Sequence, residues 1–315
     1  MDRRVVVVGA GAIGAGLGGL LALNGVPVQF VARGDHGRAM REEGLELWRP
    51  HRQDRVRVPT VRSLAEVSLR PDDLVLVCVM GQHTEQAVAA LPAGQPVVSL
   101  QNGTRPLDAL VAAGHPTTAG MVFVPAERPQ PGRVLLPGSP APGTVWLGRW
   151  PDGNSDDAGV LAELLASVGF RARAVDAIGP WTRAKSLANL GGIVVALCDA
   201  PPSDVVDAAR AEARAVWAAA GIETRSVVEL VEAVGPLTVV PVGGHLRRGG
   251  STRHALQRGQ TLETASLHGP IVSLGRTHGV ATPVNQKLIE LAHTAAAEAW
   301  VPGSLSADAL RALVA

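Results

Sequence analysis

The sequence of 315 residues contains no tyrosine, and only two of its 29 cationic residues, Lys185 and Lys287, are lysines. The lack of tyrosine excludes mechanisms that need a phenolic acid, including the Tyr-x-x-x-Lys pair of short-chain dehydrogenases. Arginine keeps its proton in proteins, whereas a partly buried lysine can release one. Any proton transfer by an amine side chain therefore has two candidates.

Cysteine is also scarce. Cys78 and Cys198 each lie in an apolar run, LVLVCVM and IVVALCD, which is typical of buried hydrophobic residues rather than of a disulfide or an exposed nucleophile. We therefore expect a reducing, cytoplasmic compartment. The nine histidines form no HExxH motif and no cluster with cysteine at ligand spacing, so no metal is expected.

A surplus of charge of one sign is missing as well. The 29 cationic and 28 acidic residues leave a formal net charge of +1. This balance argues against a protein that coats nucleic acid, and we expect no nucleic-acid partner. The chain is about twice as long as a typical domain, which favours two domains.

The N-terminal residues 1–26 fit two interpretations. A basic start followed by the uncharged stretch 5–23 resembles a signal peptide or a short membrane span. The same letters fit a strand, a glycine turn and a helix, because four consecutive valines favour a buried strand and the many glycines weaken a membrane helix. Asn24-Gly25 then stops the helix, and residues 26–31 fit a second strand. We predict a βαβ unit and no membrane association.

A glycine motif lies between this predicted strand and helix. The spacing is G-x-G-x-x-G, and its residues are Gly9, Ala10, Gly11, Ala12, Ile13 and Gly14. The first glycine allows a tight turn, the second lets backbone approach a pyrophosphate, and the third lets the helix pack on the strand. The helix N-terminus then faces the diphosphate. Because strand, helix and second strand lie in register, the sequence predicts a dinucleotide site.

The tip of the second predicted strand distinguishes NAD from NADP. Enzymes that use NAD place a carboxylate there, which bonds the adenosine ribose. Here the segment 30–34 is FVARG, and Arg33 at the tip favours the 2′-phosphate of NADP. Two alternatives stay open: Arg33 is a solvated residue that opens a loop, or Asp35 is a helix cap or a late ribose ligand.

The alternation of strands and helices continues to about residue 175. We predict, in chain order, strand 74–79, helix 84–91, strand 96–101, helix 107–113, strand 117–124, short strands within the Pro- and Gly-rich stretch 125–143, helix 155–168 and strand 172–175. This pattern indicates an α/β fold with a doubly wound parallel sheet, whose ligands bind beyond the carboxyl ends of the strands.

Strand signals are sparse in the second half of the chain. We predict helices over 181–200, 204–220, 226–234, 254–278 with a break near Pro270, and 285–297. The domain boundary is placed near Ala177. It divides the chain into an NADP-binding domain, 1–177, and an all-helical substrate and catalytic domain, 178–315.

Candidate site residues lie in two places. Some directly follow predicted strands, and others lie on the first predicted helix of the second half of the chain. Met80 follows the strand over 74–79, and Asn102 follows the strand over 96–101. Asn102 is a candidate for an amide contact to nicotinamide or substrate, although Asn-Gly also favours ordinary turns. Lys185 and Asn189 are one helical turn apart and share a face. A solvated lysine is the alternative on a surface helix, but this helix is mostly apolar and its Gly191-Gly192 permits close approach of another segment.

Taken together, these residues resemble the ketopantoate reductases (2-dehydropantoate 2-reductases). The resemblance covers nearly the full length and rests on GAGAIG, FVARG, LQNG at 100–103, KSLAN at 185–189, Ser251 with Glu263 twelve residues later, and GRTHGVATPVNQKLIEL near the C-terminus. It implies an N-terminal Rossmann domain followed by a helical domain. It also implies reduction of a small-molecule 2-oxo acid to a 2-hydroxy acid with NADPH, and it suggests a homodimer.

The resemblance also implies roles for individual residues around the cofactor. Residues 9–14 hold the diphosphate, and Arg33 holds the adenosine phosphate. Met80, Asn102 and Ala126 line the cofactor.

On the substrate side, the resemblance makes Lys185 the proton donor to the reduced carbonyl. Asn189, Ser251 and Asn102 contact substrate, and Glu263 lies near the nicotinamide ribose and the lysine with a catalytic role. Without the resemblance, Ser251 would be interpreted as a helix N-cap and Glu263 as a surface carboxylate. An ammonium at the carbonyl oxygen would stabilise the developing alkoxide and donate a proton.

Four positions depart from the family pattern. Met80 replaces a lysine, Ile193 replaces a second substrate asparagine, Ala255 replaces an acidic residue and His268 replaces the asparagine of an Asn-Gly pair. Loss of a polar partner weighs on specificity. The substrate is therefore ketopantoate or a related, bulkier or more apolar 2-oxo acid.

Two other functions stay open at this point. One is an opine or polyol dehydrogenase of similar two-domain build, which would be expected to use a histidine-based site. The other is a regulatory protein that binds NADP without turnover, although Lys185, Asn189, Ser251 and Glu263 together argue against it.

Overall fold

The computed structural model describes residues 3–247, 249–260 and 262–314, which form two compact units. The described residues within Met1–Gln101, Pro106–Gly179 and Glu232–Arg247 belong to unit 1, and those within Asn102–Arg105, Pro180–Val231 and Arg248–Ala315 belong to unit 2.

The strands are, in chain order, β1 (Val5–Val8), β2 (Val28–Val31), β3 (Leu45–Arg49), β4 (Arg52–Val56), β5 (Thr60–Val61), β6 (Leu74–Val77), β7 (Val97–Ser99), β8 (Thr117–Phe123), β9 (Glu127–Gln130), β10 (Arg133–Leu135), β11 (Gly138–Ser139), β12 (Thr144–Arg149), β13 (Arg171–Ala174) and β14 (Thr238–Val239). The helices are α1 (Ala12–Leu23), α2 (Gly34–Glu42), α3 (Thr84–Val88), α4 (Arg105–Ala112), α5 (Asp156–Ser167), α6 (Ile178–Asn189), α7 (Gly192–Leu197), α8 (Ser203–Ala219), α9 (Val227–Val234), α10 (Ser251–Gln257), α11 (Thr264–His278), α12 (Pro283–Ala297) and α13 (Ala307–Val314). Two short 3₁₀ turns span Leu64–Glu66 and Gly81–His83.

Unit 1 is built on an eight-stranded sheet in the order β13-β12-β8-β7-β6-β1-β2-β5. Six strands run parallel, and the strands β12 and β13 at one edge run parallel to each other and antiparallel to those six. The strand order reverses beside β1, where Val8 pairs with Val31 of β2 on one side and with Val77 of β6 on the other. In doubly wound sheets such a switch point opens the crevice where ligands bind. Residues that follow β1 and β6 therefore occupy the ligand-binding edge.

The central strand β1 consists of four valines that are buried on both faces. This is the usual pattern of a parallel strand covered by helices on both sides, and it explains why no polar alternation is present. Helix α1 covers one face with glycine and leucine residues that are almost all buried. A four-stranded sheet, β4-β3-β10-β9, and the pair β11-β14 complete unit 1.

Unit 2 is mainly helical. One core cluster gathers apolar residues of α7, α8, α10 and α12, and another lies where α6, α8 and α11 pack. The α/β sheet of unit 1 and the helices of unit 2 confirm the predicted fold class. The predicted βαβ unit is present as β1, α1 and β2, and the short strands within 125–143 are β9 to β11.

Two predicted helix boundaries are wrong. The helix over 254–278 is interrupted after α10 rather than near Pro270, which lies inside α11. Gly259 has φ +60° and the N–H of Gln260 bonds to the carbonyl of Ala255, so α10 ends in a glycine-terminated motif. The helix over 181–200 ends at Asn189, and α7 begins at Gly192.

Hairpin β3–β4 was not anticipated from periodicity. Its second strand, RQDRV, is rich in charge and partly exposed, so it lacks the apolar alternation of a half-buried strand. In the part of the chain that the structure describes, no helix is long and apolar enough to span a membrane.

We expect Gly18→Ala to destabilise unit 1 by ~1–3 kcal/mol, as overpacking of a core does. A Cβ at Gly18 would lie 2.8 Å from the ring of Phe30, which is fully buried and has no room to move. Gly159→Ala in α5 is the matched control, because nothing lies within 4 Å of its added Cβ. That variant should gain ~0.5–1 kcal/mol through helix propensity. Thermal unfolding of both variants checks the pair, and equal Tm values would contradict it.

Candidate functional site

The glycine turn of unit 1 packs against the end of the neighbouring strand β6. Gly9 has φ +100°, and a Cβ there would lie 2.8 Å from the backbone nitrogen of Val79. A Cβ at Gly14 would lie 2.3 Å from the carbonyl oxygen of Gly9. Neither position can hold a larger residue without moving backbone. The turn between β1 and α1 is thus fixed by direct backbone contact with the residues that follow β6.

Gly11 differs from these two glycines. No atom of the described residues lies within 4 Å of the position where its Cβ would be. Gly11 is the N-cap of α1, no side chain caps this helix, and its first turn has no acidic residue. Free backbone N–H groups beside open space form an anion site at a helix N-terminus. The turn therefore fits the diphosphate of a dinucleotide, with residues 9–14 as its cradle.

Arg33 follows β2 and is exposed at the N-cap position of α2. Asp35, the alternative ribose ligand, forms an ion pair with Arg38 at 2.8 Å.

The buried ring of His36 accepts a hydrogen bond at its Nδ1 from the N–H of Gly132, at 2.8 Å. Burial, reinforced by the charge of Arg128, lowers the pKa of His36 to about 4. His36 is therefore neutral at pH 7 and connects α2 to the β9–β10 hairpin.

The remaining cofactor candidates of unit 1 lie at the ends of strands. Met80 is half-buried after β6, and Ala126 is half-buried after β8. The buried Gln101 donates to the carbonyl of Val79 at 2.9 Å and to the hydroxyl of Thr84 at 2.8 Å. The amide of Gln101 thus joins the ends of β6 and β7.

Unit 2 brings three predicted site residues into one hydrogen-bonded chain. Asn189, the last residue of α6, donates from Nδ2 to Oδ1 of Asn102 at 3.3 Å. Asn102 in turn donates from its Nδ2 to Oε2 of Glu263 at 3.2 Å. Lys185 lies one turn before Asn189 on α6, and all four side chains belong to half-buried residues. An amine can donate a proton to a reduced carbonyl, and amides and a carboxylate can orient the groups around it.

The position of Asn102 depends on the residue that follows it. Gly103 has φ +81°, and a Cβ there would lie 3.1 Å from the carbonyl oxygen of Ser266. Pro270, four residues after Ser266, has no N–H, so it cannot form the usual helical bond to that carbonyl. The Asn-Gly turn therefore packs against the first turn of α11, which begins directly after Glu263. This close approach explains why Asn102 reaches the carboxylate of Glu263.

Two other substrate-side positions have different settings. Ser251 is the exposed first residue of α10. Ile193 does not continue the face of Lys185 and Asn189, because α6 ends before it, and it lies 1% exposed in the core of unit 2. The break is tightly packed, since a Cβ at Gly192 would lie 2.8 Å from Oγ1 of Thr252.

A buried polar network supports the helices that carry the chain of amides. His268 on α11 is 1% exposed, and its Nδ1 is 2.7 Å from Oδ1 of Asn285 on α12. Asn285 donates from Nδ2 to Glu212 of α8 at 2.7 Å. Burial lowers the pKa of His268 to about 4, although hydrogen bonds to Asn285 and to the backbone of Leu190 oppose this. The neutral ring thus contacts the residue directly after Asn189.

Known families and proteins match most of the chain. The family model described as Ketopantoate reductase PanE/ApbA matches residues 5–152, and its C-terminal counterpart matches residues 189–296. The chain belongs to the ketopantoate reductase family. A curated 2-dehydropantoate 2-reductase of Halobacterium salinarum is 30% identical over 311 residues, covering 93% of this chain and 98% of that protein.

Solved structures show the same fold. The PanE/ApbA family ketopantoate reductase of Ralstonia eutropha JMP134 superposes with a TM-score of 0.78 at 26% identity, covering 94% of this chain and 99% of that one. A D-mandelate dehydrogenase solved with NADH and anilino(oxo)acetate has a TM-score of 0.77 at 22% identity, covering 95% and 100% of the two chains. The family member described here is an oxidoreductase that acts on a CH–OH group.

Several supporting residues were not found from the sequence. Gln101 precedes the recognised Asn102, and Asn285 lies within the recognised C-terminal motif, but neither spacing reveals its partners. Glu212 carries no local signal, because the N–H groups that donate to its carboxylate come from a helix more than 70 residues away. His268 was noted only as a departure from the family pattern.

We expect acid to destabilise the folded chain through His268. An unfolded histidine titrates near ~6.5, while the folded ring has a pKa of about 4, so only the unfolded state binds the proton between these values. The contribution of His268 is complete above pH 6.5 and is lost as the pH falls towards 4, a loss of ~3 kcal/mol.

The measurement is the free energy of unfolding in urea as a function of pH. His268→Gln should give a shallower pH dependence between pH 6.5 and 4 than the unmodified chain. His278→Gln changes an exposed histidine on the same helix and should keep the original slope. Identical slopes for all three proteins would show that His268 does not carry the effect.

Proposed function

We propose that this protein is an NADPH-dependent reductase that converts ketopantoate, or a related 2-oxo acid, to the 2-hydroxy acid, with Lys185 as proton donor. The observation that carries the proposal is the chain Asn189–Asn102–Glu263, which starts one helical turn from Lys185. The family relationship supplies the reaction class. In this proposal residues 1–177 bind NADP, and residues 178–315, together with Asn102, supply the substrate-binding and catalytic groups.

The cofactor assignment rests on three features of unit 1. The open space at Gly11 and the uncapped N-terminus of α1 suit the diphosphate. The exposed Arg33 supplies a cation for the adenosine 2′-phosphate, and Asp35 is engaged by Arg38. Met80 and Ala126 lie at strand ends on the edge where ligands of doubly wound sheets bind, and both are proposed to line the cofactor.

The bound reduced nicotinamide supplies a hydride to the carbonyl carbon. Negative charge then develops on the carbonyl oxygen, where the ammonium of Lys185 stabilises it and donates a proton from Nζ. A primary amide has two N–H donors and one oxygen with two lone pairs, so Asn102 keeps one N–H and one lone pair for cofactor or substrate. Glu263 fixes the orientation of this amide, and Asn189 and Ser251 are proposed to contact the substrate.

The buried position of Ile193 bears on the substrate. Its side chain packs in the core of unit 2, so the missing asparagine changes the inside of this unit rather than the helical face of Lys185. Because Ile193 is away from the face of Lys185, its apolar side chain does not argue against ketopantoate as a substrate. The proposed reaction requires no second kind of protein. The homodimer and the cytoplasmic location stay predictions.

Lys185→Ala should lower kcat by ~100-fold or more, as loss of a general acid does, while the Kd for NADPH changes little. The assay is NADPH oxidation with ketopantoate and a panel of other 2-oxo acids, including aryl-substituted ones. Lys287→Ala is the matched control, because the other lysine of the chain forms an ion pair with Glu290 at 3.2 Å on α12.

Three results would overturn parts of the proposal. Near-normal turnover of Lys185→Ala would exclude Lys185 as proton donor. Turnover of the unmodified protein only when an amine is added would indicate an opine-type dehydrogenase. NADPH binding without oxidation by any substrate of the panel would indicate a regulatory protein.

Arg33→Ala should weaken binding of NADPH by ~10-fold or more, the loss typical of a hydrogen bond to a charged group. NADH lacks the 2′-phosphate and is the internal control, so its Kd should change much less. Fluorescence titration of both cofactors gives the two values. Equal weakening of NADPH and NADH would contradict the phosphate assignment.

A further inference from the structure

Unit 1 contains a cavity that none of the proposed cofactor or substrate residues lines. Its volume is about 370 Å³, within the usual range of small-ligand sites. The β3–β4 hairpin forms one wall and the loop 241–243 forms the other. The lining residues are Arg49, His51, Arg52, Gln53, Pro241, Val242 and Gly243.

The hairpin wall carries more positive than negative charge. Arg49 and Arg52 both form ion pairs with the single carboxylate of Asp54, and the Arg52 pair has an N–O distance of 3.0 Å. One carboxylate balances only one of the two guanidinium groups. The Nε of Arg49 is also buried without a hydrogen-bond acceptor among the described residues. Guanidinium groups at a cavity wall without a full counter-charge favour an oxyanion as the ligand.

The turn of the hairpin places an imidazole on the same wall. His51 follows Pro50 and has φ +60°, a left-handed conformation that side-chain-bearing residues seldom adopt. Glycine would adopt this conformation without steric cost. The chain nevertheless has histidine here, and this residue lines the cavity. An unfavourable residue at a ligand-facing position favours a binding role over a purely structural one.

The opposite wall is held in place and is less polar. Gly243 has φ +58°, and a Cβ there would lie 2.1 Å from the ring of Trp48. That ring is covered on another side by the guanidinium of Arg133, 3.9 Å from its centroid. Two backbone hydrogen bonds between Val242 and His245, of 2.9 and 3.0 Å, close the loop. The exposed Pro241 and the buried Val242, which is 3% exposed, therefore line a preformed wall.

We propose that this cavity binds a small organic phosphate. The phosphate would be held by Arg49, His51 and Arg52, and the apolar part of the molecule would contact Pro241 and Val242. Three cationic or donor side chains suit the three terminal oxygens of a phosphate ester better than the two oxygens of a carboxylate. The volume exceeds that of a bare phosphate, which leaves room for the organic part. This site is separate from the dinucleotide turn.

Calorimetric titration of the full-length protein with phenyl phosphate tests the proposal, with and without saturating NADP⁺. We expect one phenyl phosphate per chain in both conditions, with at least ~10-fold weaker binding of benzoate. Arg52→Gln should weaken phenyl phosphate binding by at least ~10-fold. Arg55→Gln removes a cation from the same strand, outside the cavity lining, and should leave the Kd within about twofold.

A second variant separates binding from folding. His51→Gly relieves the left-handed backbone, so its Tm should equal or exceed that of the unmodified protein while phenyl phosphate binding weakens by at least ~10-fold.

Four results would overturn the proposal. They are no binding of phenyl phosphate, unchanged binding in both cavity variants, loss of binding when NADP⁺ is present, and equally tight binding of benzoate.

Discussion

The contact between backbone atoms at Gly9, Gly14 and Val79 is the constraint on which unit 1 depends. Two neighbouring parallel strands can end together here only because side chains are absent from the turn that joins β1 to α1. The same closeness directs the N-terminus of α1 towards open space at Gly11. The same turn thus packs closely and leaves the start of the helix beside open space, because glycine has no Cβ.

The arrangement of the candidate site in unit 2 depends on hydrogen bonds between side chains. Its catalytic candidates are linked by hydrogen bonds between amides and a carboxylate, and these bonds are directional. The buried network of His268, Asn285 and Glu212 supports the helices behind them, because each buried polar group needs a partner. The proline within α11 and the glycine after Asn102 belong to the same arrangement. A turn from a distant part of the sequence can therefore approach the start of α11 closely.

Local signals were sufficient where the chemistry is encoded in neighbouring residues. The glycine spacing, the valine strand and the arginine after β2 each concern a few adjacent positions, and their placement in the fold could be predicted. The β3–β4 hairpin could not, because its charged strand lacks apolar alternation. It is stabilised by ion pairs within the hairpin and by the pairing of β3 with the distant strand β10. The break in the helix predicted over 254–278 was placed at the wrong residue. Pro270, a strong local signal, is tolerated inside α11, while the glycine after Arg258 ends α10.

The sequence by itself determined the α/β and helical halves, the glycine turn after β1, and the restriction of amine chemistry to two lysines. These properties follow from composition and short-range periodicity, which do not depend on how distant segments meet. Only the tertiary structure decided that Asn102 joins Asn189 to Glu263, that Ile193 faces the core, and that the hairpin and the loop at 241–243 enclose a cationic cavity. Each of these depends on contacts across tens to hundreds of residues, and the geometry of such contacts is set by packing rather than by spacing along the chain.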